Sequence, residues 1–289
     1  MNWLWNRIGF ALPDDWEMLQ FSRNPDNGRC VFADRYQFRL ELDWMTVSAP
    51  PDMERMSSDY MAKLKEDGMK SIEKVSHHPW SGAYGIEHGR PVSRYGAYFS
   101  DGPFLLEAVF IGESGSKADF AAEGRILDSF KVHPKSDTIR WCAFGMDWST
   151  SATEFALCYV APGLAEASFT DGKKHTSQTF SRRGLLKTWL KTPVQDWLAS
   201  RVPPEYKTVS MEHESRDGHD VWTMLAKRRR TVLSDWLHGR RHIIASAWIG
   251  PNDGRLYTLS TLAHCDGKQF PPASLGCCKF SVNNAMGTK

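Results

Sequence analysis

The run LLEAVFIG, Leu105 to Gly112, returns as IIASAWIG, Ile243 to Gly250, and no other feature restricts the fold of this 289-residue chain as strongly. An apolar run that recurs at a fixed offset is the mark of a chain built from two copies of one unit. Here the offset is 138 residues, from position 105 to 243. A second correspondence sets CVFADRYQFRLEL, from Cys30, against ASFTDGKKHTSQTF, from Ala167, so that Phe32 meets Phe169 and Asp34 meets Asp171. A third sets ILDSFKV, ending at Val132, against LGCCKFSV, ending at Val282, with an insertion of about a dozen residues in the last connection of the second copy. The polar stretch HPKSD, His133 to Asp137, has the proline and charge of a linker, which predicts domains over 1–135 and 136–289.

Within the first copy, Arg35 to Trp44 alternates Tyr36, Phe38, Leu40, Leu42 and Trp44 with polar residues, the period-two pattern of a half-buried strand. It pairs with the preceding RCVFA across a turn near Asp34, with the Tyr and Phe side expected toward the core. From Pro51 the period changes. Met53, Met56, Tyr60, Met61 and Leu64 recur at helical spacing, with Gly68 as the stop, and the expected use of this methionine stripe is packing on a sheet rather than open binding. Three glycine-punctuated segments, SGAYGIEHG, SRYGAYFSDG and FLLEAVFIGE, read as an antiparallel meander, and Lys117 to Leu127 as a second helix. In the second copy Pro193 interrupts the helical pattern, which predicts two short helices in place of one. The sum is an α+β chain of two similar domains, each an antiparallel sheet covered by helices.

The opening IGFALPDDW, one helix after a hairpin, the meander, and the short helix running into ILDSFKV resemble the fold shared by the PsbP proteins of photosynthesis, the Ran-binding nucleotide-release factors and many bacterial relatives. The resemblance covers most of residues 8–132 and, more weakly, 140–282, where CCKF at the ending and a longer last loop depart from it. It implies a protein that docks onto a larger assembly, as members of this fold do with a photosystem, a small GTPase, or the hydrophobic segments of secreted toxins that type VI effector chaperones shield. No functional residue of that family maps onto this sequence.

Chemistry is sparse. There is no GxSxG elbow, no phosphate-binding glycine loop, no HExxH and no Cys/His ladder, so no catalytic residue, metal ligand or cofactor is predicted. The six cysteines read as thiols of a reducing compartment, and the chain as cytoplasmic, without a signal peptide or membrane segment. Residues 1–135 carry 16 Lys and Arg against 20 Asp and Glu; residues 136–289 carry 20 against 14. The basic excess concentrates in KRRR, Lys227 to Arg230, and GRRH, Gly239 to His242. A hairpin would bring the two together, and Arg228, Arg229, Arg230, Arg240 and Arg241 are therefore candidate partner contacts. Trp3, Trp5 and Trp16 are a second candidate, as an apolar groove at the chain start, while Trp44, Trp80, Trp141 and Trp248 are expected in the core.

The expected function is a non-enzymatic binding protein, adaptor or chaperone for another protein, monomeric through pseudo-dimeric packing of its two domains. One alternative is a small-molecule or metal-dependent enzyme, with a polar site near His213, His219 or His264 between the domains. The other is binding of an anionic ligand, with nucleic acid disfavoured by a net charge of only +2.

Overall fold

A computed structural model of the protein describes residues 1–151, 154–171, 176–229, 241–264, 270–277 and 280–283. The chain divides into two compact units, Met1–Lys135 and Ser136–Lys289. The first runs β1 (Asn2–Trp5), β2 (Ile8–Ala11), β3 (Glu17–Phe21), β4 (Asn27–Ala33), β5 (Phe38–Thr46), α1 (Met53–Glu66), β6 (Lys70–His77), β7 (Trp80–Glu87), β8 (Arg90–Phe99), β9 (Phe104–Ile111), α2 (Phe120–Asp128) and β10 (Lys131–Val132). The second runs β11 (Ile139–Ala143), β12 (Met146–Thr150), β13 (Glu154–Ala161), β14 (Leu164–Thr170), β15 (Ser177–Arg183), α3 (Leu186–Trp189), α4 (Val194–Ser200), β16 (Tyr206–Arg216), β17 (His219–Arg228), β18 (Arg241–Ile249), β19 (Leu256–His264), β20 (Ala273–Cys277) and β21 (Phe280–Asn283).

Each unit holds one seven-stranded antiparallel sheet, ordered β3-β4-β5-β9-β8-β7-β6 in the first and β13-β14-β15-β19-β18-β17-β16 in the second. The two orders are the same order. Tight turns keep the hairpins local: Asn6–Arg7, His88–Gly89, Phe144–Gly145 and Asp217–Gly218 all have positive φ at both positions. That is the loop whose twist matches antiparallel strands. In unit 1, β2 hydrogen-bonds to β1 and β10, and these three short strands cover one face of the unit's seven-stranded sheet. There Trp3 meets Phe32 edge-on at 5.2 Å, Phe10 stacks on Phe130 at 4.9 Å, and Trp80 meets Phe130 at 5.0 Å. The opposite face takes α1, which packs on β6, β7 and β8 through Leu64, with Tyr60 and Met61 beside it. Asp52 caps the helix by accepting from the Arg55 N–H.

The expectation of helix-covered α+β domains is corrected. Strands make up 56% and helices 13% of the described residues, so the protein is mostly β. Short strands account for part of the difference: β1, β2, β11 and β12 have four or five residues, too few for alternation to show. The alternating face of Arg35 to Trp44 meets the core over only part of its length. Leu40, Leu42 and Trp44 face the core, whereas Tyr36 is 84% exposed in the turn and Phe38 43%. The correspondence of LLEAVFIG with IIASAWIG pairs β9 with β18, strands that hold different places in the shared order. The correspondence of Phe32 with Phe169 pairs β4 with β14, which hold the same place. Pro193 does divide the second unit's helical segment, standing between α3 and α4.

Trp3 and Trp5 are core residues, 4% and 1% exposed, so they form no docking groove. The Trp5 indole N–H donates to the Ser22 carbonyl at 2.9 Å, and its ring lies 5.3 Å from Phe21. Trp5→Ala is expected to cost about 3–5 kcal/mol of stability, measured by chemical denaturation, because it removes a buried aromatic ring and leaves a cavity. A loss below about 1 kcal/mol contradicts the packing described.

Glu123, on α2, is a buried carboxyl whose hydrogen-bond donors are the Ser93 and Tyr95 hydroxyls, at 3.1 and 3.0 Å. Burial raises its pKa, against the lowering effect of those hydroxyls. The folded state therefore holds this proton to higher pH than the unfolded chain. The stability that Glu123 contributes is complete below the unfolded value, about 4.3, and is lost as pH rises through the folded one. Glu123→Gln is expected to raise stability at pH 7 by on the order of 1 kcal/mol and to remove that part of the pH dependence, as read by thermal melts between pH 4 and 8.

Candidate functional site

α1 covers only half of its face. Past β8 the helix reaches β9 through Tyr60, which bonds Glu107, and through the Leu64 cluster that includes Val109, and beside its Met53 end a cleft of about 430 Å³ opens. Met53, Met56 and Tyr60 form its helical wall, and Ser81, Gly96 and Leu105 belong to its floor. A second hollow, about 560 Å³, continues from Leu105 and Glu107 across Met45 and Asp43 to Arg29. The two share Leu105 and Glu107 and so form one trough. Its apolar rim is open to solvent, with Met56 41% and Met45 48% exposed.

The trough opens at Gly96 because a glycine there leaves the floor bare. A β-carbon at Gly96 would meet the Met53 methyl at an ordinary 3.6 Å, so the space above it is real. Its charges are matched internally. The Tyr60 hydroxyl donates to Glu107 at 2.5 Å, Arg94 Nη2 donates to Glu87 at 2.9 Å, and Arg29 Nε donates to Asp43 at 2.8 Å. Burial, followed by the Glu107 carboxylate, pushes the Tyr60 phenol up and keeps it protonated. Burial opposes the Arg94 charge, but Glu87 and Tyr60 outweigh it and raise its pKa. Two donors are left over: Arg94 Nε and the Ser57 hydroxyl are buried with no acceptor among the described residues.

The methionine stripe thus divides. Met61 and Leu64 pack on the sheet as expected, while Met53 and Met56 line open space. Sequence reasoning missed Met45, Leu105 and Gly96, whose shared signal is small or flexible residues on three different strands.

The basic candidates collect at one end of unit 2's sheet. β17 and β18 are an antiparallel pair in which Lys227 lies opposite His242, and Lys207 of β16 lies opposite Lys227. Arg228 and Arg241 follow at the strand ends. Arg229 is exposed, its backbone N–H donating to the Glu205 carbonyl at 2.7 Å, and Arg241 Nε donates to His264 at 3.0 Å. Burial, then Lys227, lowers the pKa of His242. Arg230 and Arg240 lie outside the described residues. Trp16, the third tryptophan candidate, is half-buried before β3, its backbone N–H donating to the Pro13 carbonyl.

The histidines are held by structural partners. His213 is 3.3 Å from Asp220 and stacks on Trp222 at 4.4 Å. His219 is buried; its Nδ1 donates to the Asp217 carbonyl at 2.9 Å, leaving the Nε2 lone pair 3.4 Å from the Cys277 thiol. A polar hollow of about 280 Å³ lies nearby, lined by Glu212, Glu214, Thr223 and Ser246. The Thr223 and Ser246 hydroxyls there hydrogen-bond to each other at 2.9 Å. Among the described residues no group of three His, Cys, Asp or Glu side chains is placed to hold a metal, and no helix is long and apolar enough to cross a membrane.

No protein-family model matches the chain, and no curated protein is significantly similar to it. Among solved structures, a Bacteroides thetaiotaomicron VPI-5482 protein determined at 1.50 Å is similar at 13% identity and a TM-score of 0.30, over 47% of this chain and 49% of that one. The immunity protein TplEi of the T6SS from Pseudomonas aeruginosa, complexed with "L" peptide, is similar at 10% identity and a TM-score of 0.36, over 86% of this chain and 87% of that one. Likenesses of this degree assign this chain neither a fold nor a partner.

Proposed function

We propose that the chain is a non-enzymatic binding protein, an adaptor or chaperone whose partner is another protein. The observation that carries this reading is the trough of unit 1, a sheet face half covered by its own helix, with exposed methionines at the boundary. Methionine is unbranched and polarisable, and it lets one surface accommodate side chains of different shape. An apolar, charge-matched trough of this kind suits a protein segment. The resemblance of residues 8–132 to assembly-docking proteins supports the same reading.

Affinity co-purification from the native host, at two salt concentrations, tests it. The wild-type chain is expected to retain a specific protein at both, and Met56→Asp, a change at an exposed position, to reduce recovery at least about tenfold, or 1.4 kcal/mol. Equal recovery by the two chains removes the trough from the function. A second reading, an anionic partner, rests on the Lys207–Lys227–His242 row. It requires that replacing Arg228 and Arg229 by glutamate abolish a retention that itself falls steeply with salt.

A further inference from the structure

The shared strand order lets the trough be compared with its counterpart in unit 2, position by position. Leu105 is the first residue of β9 on the α1-covered face and lies opposite Met45; Leu256 is the first of β19 on the helix-covered face and lies opposite Arg183. Two residues further along, Glu107 lies opposite Gly96, and Gly96 opposite Ser81. In unit 2 the matching row is Thr258, Ala247 and Trp222. The floors therefore correspond: Leu105 with Leu256, Gly96 with Ala247, Ser81 with Trp222.

What lies above those floors differs. In unit 2 the buried group of Leu198, Met224, Ala245, Ala247 and Leu256 is covered by the chain's own Leu186 and Trp189 from α3, along with Trp197 from α4. The Trp189 and Trp197 rings lie 5.8 Å apart. The connection from β15 to α4, residues 184–193, contains α3; the connection from β5 to α1 is residues 47–52 and contains no helix. Unit 1 lacks the segment that completes the layer in unit 2, and the cleft of about 430 Å³ is where that segment would lie.

We propose that this cleft takes a short apolar helical turn of the partner protein, with two large apolar side chains three residues apart, in the place that Leu186 and Trp189 hold in unit 2. The proposal rests on the protein-binding reading and gives its partner a chemistry. Charge complementarity selects an uncharged inserted face. Arg94 and Arg29 are already matched by Glu87 and Asp43, so a carboxylate entering the floor gains no free guanidinium there. The buried Arg94 Nε and Ser57 hydroxyl, both without acceptors among the described residues, suit a backbone carbonyl of the incoming turn.

The test uses the full chain labelled with ¹³C at its methionine methyls. The probe is a synthetic peptide with the sequence of Gly184–Trp197, and the control is the same peptide carrying serine in place of Leu186 and Trp189. Saturable shifts at Met53 and Met56 with the probe, weaker at least tenfold with the control, are the expected result. Ser81→Trp, which places in unit 1 the residue unit 2 has, is expected to lower probe affinity at least tenfold while leaving the fold intact by circular dichroism. Gly96→Ala, the milder filling change, is expected to lower it severalfold. No saturable shift, or equal shifts with probe and control, overturns the proposal. So does decanoate saturating the same methyls when the peptide does not, since the cleft is then a lipid-like site. A co-purified partner whose recovery is unchanged in Ser81→Trp also overturns it and leaves protein binding standing. A positive titration with no partner recovered from the host removes the functional reading and leaves the cleft's chemistry in place.

Discussion

One non-local pairing makes each sheet. In unit 1 the strands β3-β4-β5 and β9-β8-β7-β6 are two groups of neighbours, and only the β5–β9 ladder, Leu40 with Phe110 through Thr46 with Phe104, joins them. β15 and β19 do the same in unit 2, from Ser177 with Leu262 to Arg183 with Leu256. The ladder closes a loop containing three strands together with one helix in unit 1 and two in unit 2. It therefore carries the largest loop-closure cost within that sheet. It also fixes everything above it, since a slip of one residue would turn Leu105 and Met45 inward and Leu42 and Leu106 outward. The trough straddles this seam.

Much of the local structure was legible because it follows from single residues. Pro193 stands between α3 and α4 and immediately precedes α4. Asp34 and Asp171 were matched by sequence, and they do the same work. The Asp34 carboxylate accepts from the Tyr36 and Gln37 N–H groups, fixing the turn after β4, and that of Asp171 accepts from the Thr176 N–H. The apolar echo that first indicated two copies was legible in a misleading way. Leu105–Gly112 and Ile243–Gly250 are alike because the largely apolar central strands of an antiparallel sheet read alike, whatever their place in it.

The trough was not legible, for a physical reason. It consists of what is missing: side chains at Gly96 and Ser81, and a helical segment in the link from β5 to α1. Periodicity reports which residues are buried by their own chain and says nothing of a layer left incomplete. The exposed arginines drew attention because charge is conspicuous in sequence. The partly exposed methionines drew less, since the same residues in the same spacing serve most often as core.

The incomplete layer of unit 1 has a thermodynamic side. Where Leu186, Trp189 and Trp197 add apolar contact to unit 2, unit 1 keeps water against Leu105 and Met56 and forgoes that part of its own packing. A ligand that fills the space binds the folded unit and not the unfolded chain, so its occupancy adds directly to the stability of that unit in proportion to the logarithm of its concentration. The resistance of unit 1 to heat or to proteases then becomes a gauge of how much partner is present, while unit 2, already filled, keeps a fixed value in the same molecule.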